Sequence, residues 1–147
     1  MRSSVKSGAE RRPVDVALAY LDALGSDDPA TVTSLVADDF VNDHVAELGS
    51  GCAGRDEYAR RLPGFFAMFR KRRYRVERIA VGELVDPDDS RPTTEVVVEY
   101  RFDAEVDGTR IDLPGVMWIS VRDGAVTRRL DSWDSLTFQR QTGTPVD

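Results

Sequence analysis

Acidic and basic side chains stand inside two segments that otherwise have the apolar–polar alternation of β-strands. Arg101 and Asp103 lie in the predicted strand 93–106, and Asp131 lies in the predicted strand 125–138. If the sheet curls around a pocket, some of these charges face inward, where an unpaired charge is costly. Two carboxyl groups whose pKa values are pushed apart can act as general acid and general base. The pattern therefore predicts an acid–base site built on aspartates.

The same pattern has a second interpretation. Charges at alternate strand positions commonly face water, and cross-strand pairs of arginine and aspartate are frequent on protein surfaces. From the residues alone, both interpretations stand.

Composition narrows the class of partner. The chain has 147 residues, which fits one domain, and its net charge of −6 with a pI near 4.8 disfavours nucleic acid. No apolar run approaches the about 18 residues of a membrane span, so we expect a cytoplasmic protein that does not contact membrane. Because Cys52 is the only cysteine and His44 the only histidine, neither a disulfide nor a zinc site is expected.

Glycines 49, 51 and 54 have the spacing of a dinucleotide-binding loop. That loop requires repeated β-α-β units, whereas this chain continues as hairpin-linked strands. We interpret the glycines as a flexible loop at the rim of a pocket, and we expect no cofactor.

Helical periodicity comes first along the chain and strand alternation follows, which indicates an α+β fold with an antiparallel sheet. Turn signals at Asp107-Gly108 and Asp123-Gly124 predict two-residue hairpins. Pro63 predicts a kink or break in its helix, and Pro114 with Gly115 predicts a bulge. The basic run at 70–75 is predicted as a solvated helix end. The predicted elements are helices 13–24, 29–37 and 55–71 and strands 40–48, 73–85, 93–106, 109–122 and 125–138, within a single domain 13–143 between a disordered tail 1–12 and a short tail 144–147.

Two motifs, which occur in the same order along the chain as in a known family, indicate a family resemblance. Arg101-Phe102-Asp103 resembles the Arg-x-Asp of limonene epoxide hydrolases, and the segment 123–134 resembles the same family's final strand, with Asp131 at its first aspartate. Residues 13–143 as a whole are similar to the NTF2-like superfamily, in its SnoaL-like and limonene-epoxide-hydrolase-like branch. The resemblance implies a cone of N-terminal helices packed on a strongly curved, mostly antiparallel sheet, and a homodimer through the outer sheet face.

The resemblance also implies a site and an activity. Asp131 would act as base, Asp103 as acid, and Arg101 would bridge them, in a cofactor-independent epoxide hydrolase or epoxide-opening cyclase. Asn42 would hold the water, while His44 relays protons or lines the pocket. The family's water-holding tyrosine is replaced by Phe40 in this chain, so that His44 or Tyr100 would substitute. The residues expected to bind a mid-sized apolar substrate, such as a terpenoid or polyketide, are Phe40, Phe66, Tyr100, Trp118 and Trp133.

Two other functions stay open. A SnoaL-like polyketide cyclase or a ketosteroid-isomerase-like enzyme would need one aspartate to remove a proton next to a carbonyl, and Asp134 or Asp131 with His44 would carry that work. The third alternative is a non-catalytic domain that binds small molecules.

Overall fold

The computed structural model describes residues 11–45 and 51–143. The predicted tails before residue 11 and after residue 143, and part of the predicted glycine loop, lie outside the described residues. The elements are α1 (Pro13–Leu24), α2 (Pro29–Thr33), β1 (Val36–His44), β2 (Cys52–Ala53), α3 (Arg55–Met68), β3 (Arg70–Asp86), β4 (Asp89–Val106), β5 (Thr109–Arg122), β6 (Ala125–Trp133) and α4 (Ser135–Thr142).

The strands form one six-stranded sheet in the order β2-β1-β6-β5-β4-β3. All neighbouring pairs are antiparallel except β1 and β6, which run parallel. Helices α1 and α3 cover one face of the sheet, which we call the inner face, and bury its apolar residues. The predicted α+β fold, with N-terminal helices on a curved and mostly antiparallel sheet, is confirmed.

Both predicted hairpins are present. Asp107 and Gly108 have φ of 49° and 79°, and Asp123 and Gly124 have φ of 51° and 74°. Positive φ at both central residues is what a type I′ turn requires, and Asp-Gly supplies it at low cost. These turns set the register in which β4 pairs with β5 and β5 pairs with β6.

A predicted break at Pro63 and a predicted bulge at Pro114 and Gly115 are absent. Helix α3 continues through Pro63 without a break. The ladder between β4 and β5 keeps its register from Thr94–Val121 to Val106–Thr109, so that Pro114 and Gly115 form no bulge.

Several element boundaries also differ from the prediction. The second helix ends at Thr33, and the first strand begins at Val36 rather than at residue 40. The last strand ends at Trp133, because Asp134 caps a new helix by accepting a hydrogen bond from the Thr137 amide at 2.9 Å.

The basic run does not form a solvated helix end. It opens β3, and Arg72 within it is buried, where it binds the carboxyl ends of α1 and α3 together. Its guanidinium donates to the carbonyl oxygens of Leu24 at 2.8 Å, Phe66 at 3.1 Å, Phe69 at 2.6 Å and Ser26, and to the Asp27 carboxylate at 3.1 Å. The other basic residues of the run are exposed or half-buried.

The core lies between α1, α3 and the inner face. Its fully buried large side chains are Val16, Tyr20, Leu24, Val32, Phe40, Val96, Val98, Tyr100, Ile111, Met117, Ile119 and Val126. Two tyrosines in this apolar set need hydrogen-bond partners, and those partners lie in the site described next. None of the described helices is long and apolar enough to cross a membrane.

Candidate active site

Asp131 is a carboxylate placed in the core. It lies on the inner face of β6 and is 2% exposed. Arg129, two residues earlier on the same face, donates from Nη2 to Oδ2 at 2.7 Å. Tyr100 of β4 donates its hydroxyl to Oδ1 at 2.6 Å. A guanidinium and a phenol therefore engage one carboxylate oxygen each.

Arg129 extends this arrangement to the helices. Its Nη1 donates to the Tyr20 hydroxyl of α1 at 3.2 Å, and its Nη2 to the Tyr74 hydroxyl of β3 at 3.4 Å. The hydroxyls of Tyr20 and Tyr58, from α1 and α3, share a hydrogen bond of 2.6 Å. Burial raises the pKa of Tyr58 and of Tyr74 above the ordinary tyrosine value, so both phenols stay protonated near neutral pH.

The pKa of Tyr100 is also raised, first by burial and then by the charge of Asp131. A protonated Tyr100 is required for the hydrogen bond that it donates to Asp131. The site therefore combines one carboxylate with a neutral donor and a permanent cation.

Strand β1 brings two more polar side chains beside β6. In the parallel ladder Asn42 pairs with Arg129, and His44 pairs with Asp131. Three buried atoms, Oδ1 of Asn42, Nδ1 of His44 and Nε of Arg129, have no hydrogen-bond partner among the described residues. Buried polar atoms rarely lack partners, so these three atoms keep hydrogen-bonding capacity that no described residue uses. We call Asn42, His44, Tyr100, Arg129 and Asp131 the polar centre.

His44 is uncharged in this setting at neutral pH. Burial lowers the pKa of His44, and the nearby Arg129 lowers it further, against the opposing influence of Asp131 and Asp43. A neutral imidazole carries one donor and one acceptor nitrogen, and so it can either give or accept a hydrogen bond.

Aromatic side chains lie next to the polar centre at the end of the sheet where α4 lies. Trp133 follows Asp131 on the inner face and meets the Phe138 ring of α4 edge-on at 5.8 Å. Phe69 contacts both Phe138, at 5.9 Å, and Phe102, at 5.6 Å. We call Phe65, Phe69, Phe102, Trp133 and Phe138 the aromatic layer. It gives the polar centre an apolar, low-dielectric surrounding.

The predicted triad of Asp131, Arg101 and Asp103 does not assemble. Tyr100 and Phe102 face the core, and because strand side chains alternate, Arg101 and Asp103 face the opposite side of the sheet. Arg101 donates from Nε to Asp112 at 2.9 Å.

Asp103 is also paired on that outer side. Its carboxylate lies among three arginines, with Arg75 at 3.2 Å, Arg73 at 3.6 Å and Arg110 in contact. The expected acid and bridging arginine are thus held in ion pairs on the outer side of the sheet, where arginines cover the buried Asp103.

Two further predicted site residues point away from the polar centre. Trp118 is 44% exposed on the outer face, because its neighbours Met117 and Ile119 fill the core. Asp134 is exposed and caps α4 through Thr137, whose hydrogen bonds lower the pKa of Asp134. Neither residue can share a site with Asp131 in this fold.

The remaining predicted substrate contacts lie inside the molecule. Phe40 is fully buried and packs on Tyr58 with ring centroids 4.6 Å apart. Phe66 lies under the guanidinium of Arg72, 3.9 Å from the ring centroid. Trp133 is half-buried in the aromatic layer. Phe40 and Trp133 are therefore close to the polar centre, whereas Phe66 is occupied by Arg72.

Sequence reasoning did not find Arg129 or the tyrosines at positions 20, 58 and 74. The sequence pattern that could have indicated Arg129 is its position two residues before Asp131, on the same face of the strand. The tyrosines come from α1, α3 and β3, so no local spacing connects them.

Two surface hollows lie elsewhere, at the start of α3. They have volumes of about 280 and 310 Å³ and share Arg55 and Asp56 in their walls. Neither includes a residue of the polar centre, and their exposed charged walls lack a buried reactive group. No cluster of potential metal-binding side chains occurs within residues 11–45 and 51–143.

Comparison with known proteins adds the family. A protein of ketosteroid-isomerase-like fold from Catenulispora acidiphila DSM 44928, in complex with trimethylamine, superposes with a TM-score of 0.72 at 18% identity and covers 92% of this chain and 96% of that chain. An LEH-like epoxide hydrolase of M. tuberculosis gives 0.69 at 21% identity, covering 92% of this chain and 90% of that chain. A protein named as a SnoaL-like polyketide cyclase, from Jannaschia sp. CCS1, gives 0.70 at 19% identity, covering 93% of this chain and 99% of that chain.

At these identities the similarity shows the fold and not the reaction. Among curated proteins, none matches the chain. The family model of the SnoaL-like domain matches residues 17–129, from α1 through most of β6. Because that match covers most of the chain and the fold agrees, the chain belongs to the SnoaL-like domain family of the NTF2-like superfamily.

Proposed function

We propose that the chain is a cofactor-independent enzyme that removes a proton from a carbon next to a carbonyl group, with Asp131 as the general base. The observation that supports this proposal is the buried carboxylate of Asp131, bound by Arg129 and Tyr100 beside three unpartnered polar atoms. A single ionised carboxylate in an apolar enclosure is suited to proton abstraction from a weak carbon acid.

Asp131 keeps capacity to accept a proton. A carboxylate has about four lone-pair sites, and Arg129 and Tyr100 occupy one on each oxygen. The other sites can receive the substrate proton. The two hydrogen bonds from Arg129 and Tyr100 hold the orientation of the base.

The negative charge that leaves the carbon must develop on the carbonyl oxygen, where fixed donors stabilise it. The Arg129 Nε–H has no partner among the described residues. His44, uncharged at neutral pH, offers a second donor in the tautomer that carries its proton on Nδ1. Asn42 Oδ1 can accept from a substrate hydroxyl. The Arg129 and His44 donors together make an oxyanion site beside the base.

Epoxide opening by the expected triad has less support. That mechanism needs a carboxylic acid to protonate the departing oxygen, and Asp103 is paired with arginines on the outer face. A proton-transfer reaction needs only the groups of the polar centre. We therefore favour the SnoaL-like cyclase or isomerase type of chemistry over epoxide hydrolysis.

The side chains next to the polar centre indicate the class of substrate. The aromatic layer and Phe40 favour a mid-sized apolar molecule with one carbonyl group, such as a polyketide. The similar structure named as a polyketide cyclase supports the same class. The molecule would bind with its carbonyl at the polar centre and its rings among the aromatic side chains.

The outer face of the sheet is the place for a second copy of the chain. Trp118 and Val116 of β5 are 44% and 43% exposed there, beside the half-buried Val97 and Leu130 on the neighbouring strands. An apolar patch at the centre of a sheet is covered most simply by the same patch of an identical subunit. We therefore include a homodimer in the proposal.

The reaction type is testable without the natural substrate. The protein is incubated in D₂O with a panel of 1,3-diketones and aryl ketones, and exchange of the acidic C–H is followed by proton NMR. In parallel, terpenoid epoxides are incubated in ¹⁸O-labelled water and analysed by mass spectrometry. Enzyme-dependent exchange without epoxide consumption is the expected result. Epoxide opening without exchange would contradict the proposal, and tight binding without either reaction would favour a non-catalytic binding domain.

A further inference from the structure

Gly115 occupies an inner-face position at the middle of β5. It stands opposite Tyr100 on β4 and Trp133 on β6. Its inner-face neighbours along β5, Leu113 and Met117, carry large buried side chains. A glycine between them leaves a gap in the inner face of the sheet.

The ring of Tyr100 fills that gap. A Cβ atom at position 115 would lie 2.4 Å from both Cζ and the hydroxyl oxygen of Tyr100, and 2.9 Å from Cε1. These distances are far below van der Waals contact, and Tyr100 is buried and cannot move aside freely. The side chain of Tyr100 therefore lies across the backbone of β5.

This placement is needed for the hydrogen bond to Asp131. Tyr100 is on β4 and Asp131 on β6, two strand spacings away, which is about 10 Å between strand axes. A side chain standing perpendicular to the sheet does not span that distance. Only a ring that lies flat over β5 brings the hydroxyl to Asp131 Oδ1 at 2.6 Å.

The backbone at Gly115 does not itself require glycine. The glycines of positive φ in the described chain are at positions 54, 108, 124 and 143, and Gly115 is not among them. The β4–β5 register is also continuous at this point. Glycine weakens a strand interior, so its presence here needs another reason, which the Tyr100 ring supplies.

We propose that Gly115 is a positioning residue of the active site, whose missing side chain lets Tyr100 cross β5 and bind Asp131. The hydrogen bond then fixes the orientation of the base. The kinetic part of this inference rests on the proposed function of Asp131, whereas the structural part does not.

The structural part is tested by NMR of protein carrying ¹³Cζ-labelled tyrosine, which gives one signal for each of the four tyrosines. The Tyr100 signal is assigned by its loss in Tyr100→Phe. Gly115→Ala should shift that signal as Asp131→Ala does, because both changes remove the hydrogen bond. The matched control is Gly82→Ala, since a Cβ at Gly82 of β3 meets nothing within 4 Å. A Tyr100 signal at its wild-type position in Gly115→Ala would overturn the inference.

Thermal stability tests the same inference if Gly115→Ala folds poorly, by comparing the substitution in two backgrounds. In a Tyr100→Ala background the space for a Cβ is open, so adding Gly115→Ala should change Tm no more than Gly82→Ala does. In the wild-type background the same substitution should lower Tm clearly. An equal loss of Tm in both backgrounds would mean that the glycine does not accommodate the Tyr100 ring, and the inference would fail.

The kinetic part is tested by C–H exchange rates. Gly115→Ala and Tyr100→Phe should each lower kcat about tenfold, with KM nearly unchanged, because the base loses one orienting hydrogen bond. Tyr100→Phe should add nothing to Gly115→Ala, since the hydroxyl is already displaced. If Tyr100→Phe lowers kcat in the Gly115→Ala protein as much as it does in the wild type, the positioning role is contradicted. If the NMR signal shifts as expected but no exchange activity exists in any variant, the positioning holds and the proposed function is wrong.

Discussion

Arg129 and Asp131 form an ion pair whose side chains are 6% and 3% exposed. Removing two charges from water costs several kcal/mol for each ion, and the pair persists because Tyr20, Tyr74 and Tyr100 supply further hydrogen bonds. Such a pair adds little net stability over well-packed apolar residues, and so a functional role explains it better than a structural one. Breaking it from one side is expensive, because the partner charge is left buried.

Replacing Arg129 with methionine should therefore lower the free energy of unfolding by about 3–5 kcal/mol. Urea denaturation of both proteins measures the difference. The matched control is Arg128→Met on the same strand, where the Arg128–Asp43 pair is half exposed and its loss should cost about 1 kcal/mol or less. Equal losses in the two variants would contradict the description of Asp131 as a buried, ionised group.

His44 gives the protein a pH dependence of known sign. Its pKa is lowered in the folded state by burial and by Arg129, so below the ordinary value of about 6.5 the unfolded chain binds more protons than the folded one. The stability that neutral, buried His44 contributes is thus fully present above about pH 6.5. It is lost as the pH falls from that value toward the lowered pKa of the folded state.

His44→Asn should remove this contribution. We expect the Tm of the wild type to fall more steeply than that of the variant between about pH 7 and pH 5, because the carboxylates titrate alike in both proteins. Thermal unfolding at a series of pH values is the measurement. Parallel curves would mean that His44 is not buried in its neutral form.

At the level of residues, the sequence allowed part of the site to be predicted. Asp131, Asn42, His44 and Tyr100 were named as site residues, and the structure brings them together. Arg101 and Asp103 were assigned from a short motif, although strand alternation sets them on the face opposite Tyr100. The contacts of Arg129 with Tyr20 of α1 and Tyr74 of β3 depend on tertiary packing, which no local pattern encodes.

At the level of elements, the site depends on helices held over the sheet, and Arg72 joins them. Its side chain is fully buried and donates to carbonyl oxygens at the ends of α1 and α3. The carboxyl ends of helices carry partial negative charge and unsatisfied carbonyls, which a buried guanidinium satisfies. The position of α1, and with it Tyr20, follows from this connection.

Arg72→Met should lower the free energy of unfolding by about 3 kcal/mol, because several buried carbonyl groups lose their partner. Arg73→Met is the control, since Arg73 is largely exposed in the next position of β3. Chemical denaturation compares the two. If both substitutions cost the same small amount, Arg72 does not hold the helices, and its buried contacts would need another explanation.

The elements themselves were more readable than the site. Asp-Gly at both tight turns fixed the last three strands, because the required positive φ leaves few other choices. The final helix was missed because its apolar residues also fit strand alternation, and the deciding signal was the Asp134 cap with Thr137 three residues later. Pro63 does not end α3, which continues to Met68.

At the level of the whole molecule, the two faces of the sheet carry different kinds of side chain. The inner face buries the polar centre beneath α1, α3 and the aromatic layer, and the outer face carries ion pairs together with the apolar patch around Trp118. An exposed tryptophan at the centre of a sheet is unusual for a monomer. The proposed homodimer would cover it.

Trp118→Glu should convert a dimer into a monomer, because two like charges would face each other across a two-fold axis. Light scattering after size-exclusion chromatography gives the mass of each protein. As a control, Leu136→Glu changes an exposed apolar residue of α4, outside the sheet, and should leave the mass unchanged. A wild-type protein that is monomeric at high concentration would contradict the proposed dimer.

The central claim is that the chemistry belongs to Asp131 at the polar centre and not to the aspartate of the outer face. The most direct test compares C–H exchange rates of Asp131→Asn and Asp103→Asn, with Tm measured for both. We expect Asp131→Asn to lower kcat by about 10² to 10⁴-fold in protein that remains folded, and Asp103→Asn to stay within about twofold of wild type. Full activity of Asp131→Asn, or an equal loss in Asp103→Asn without a fall in Tm, would contradict the account.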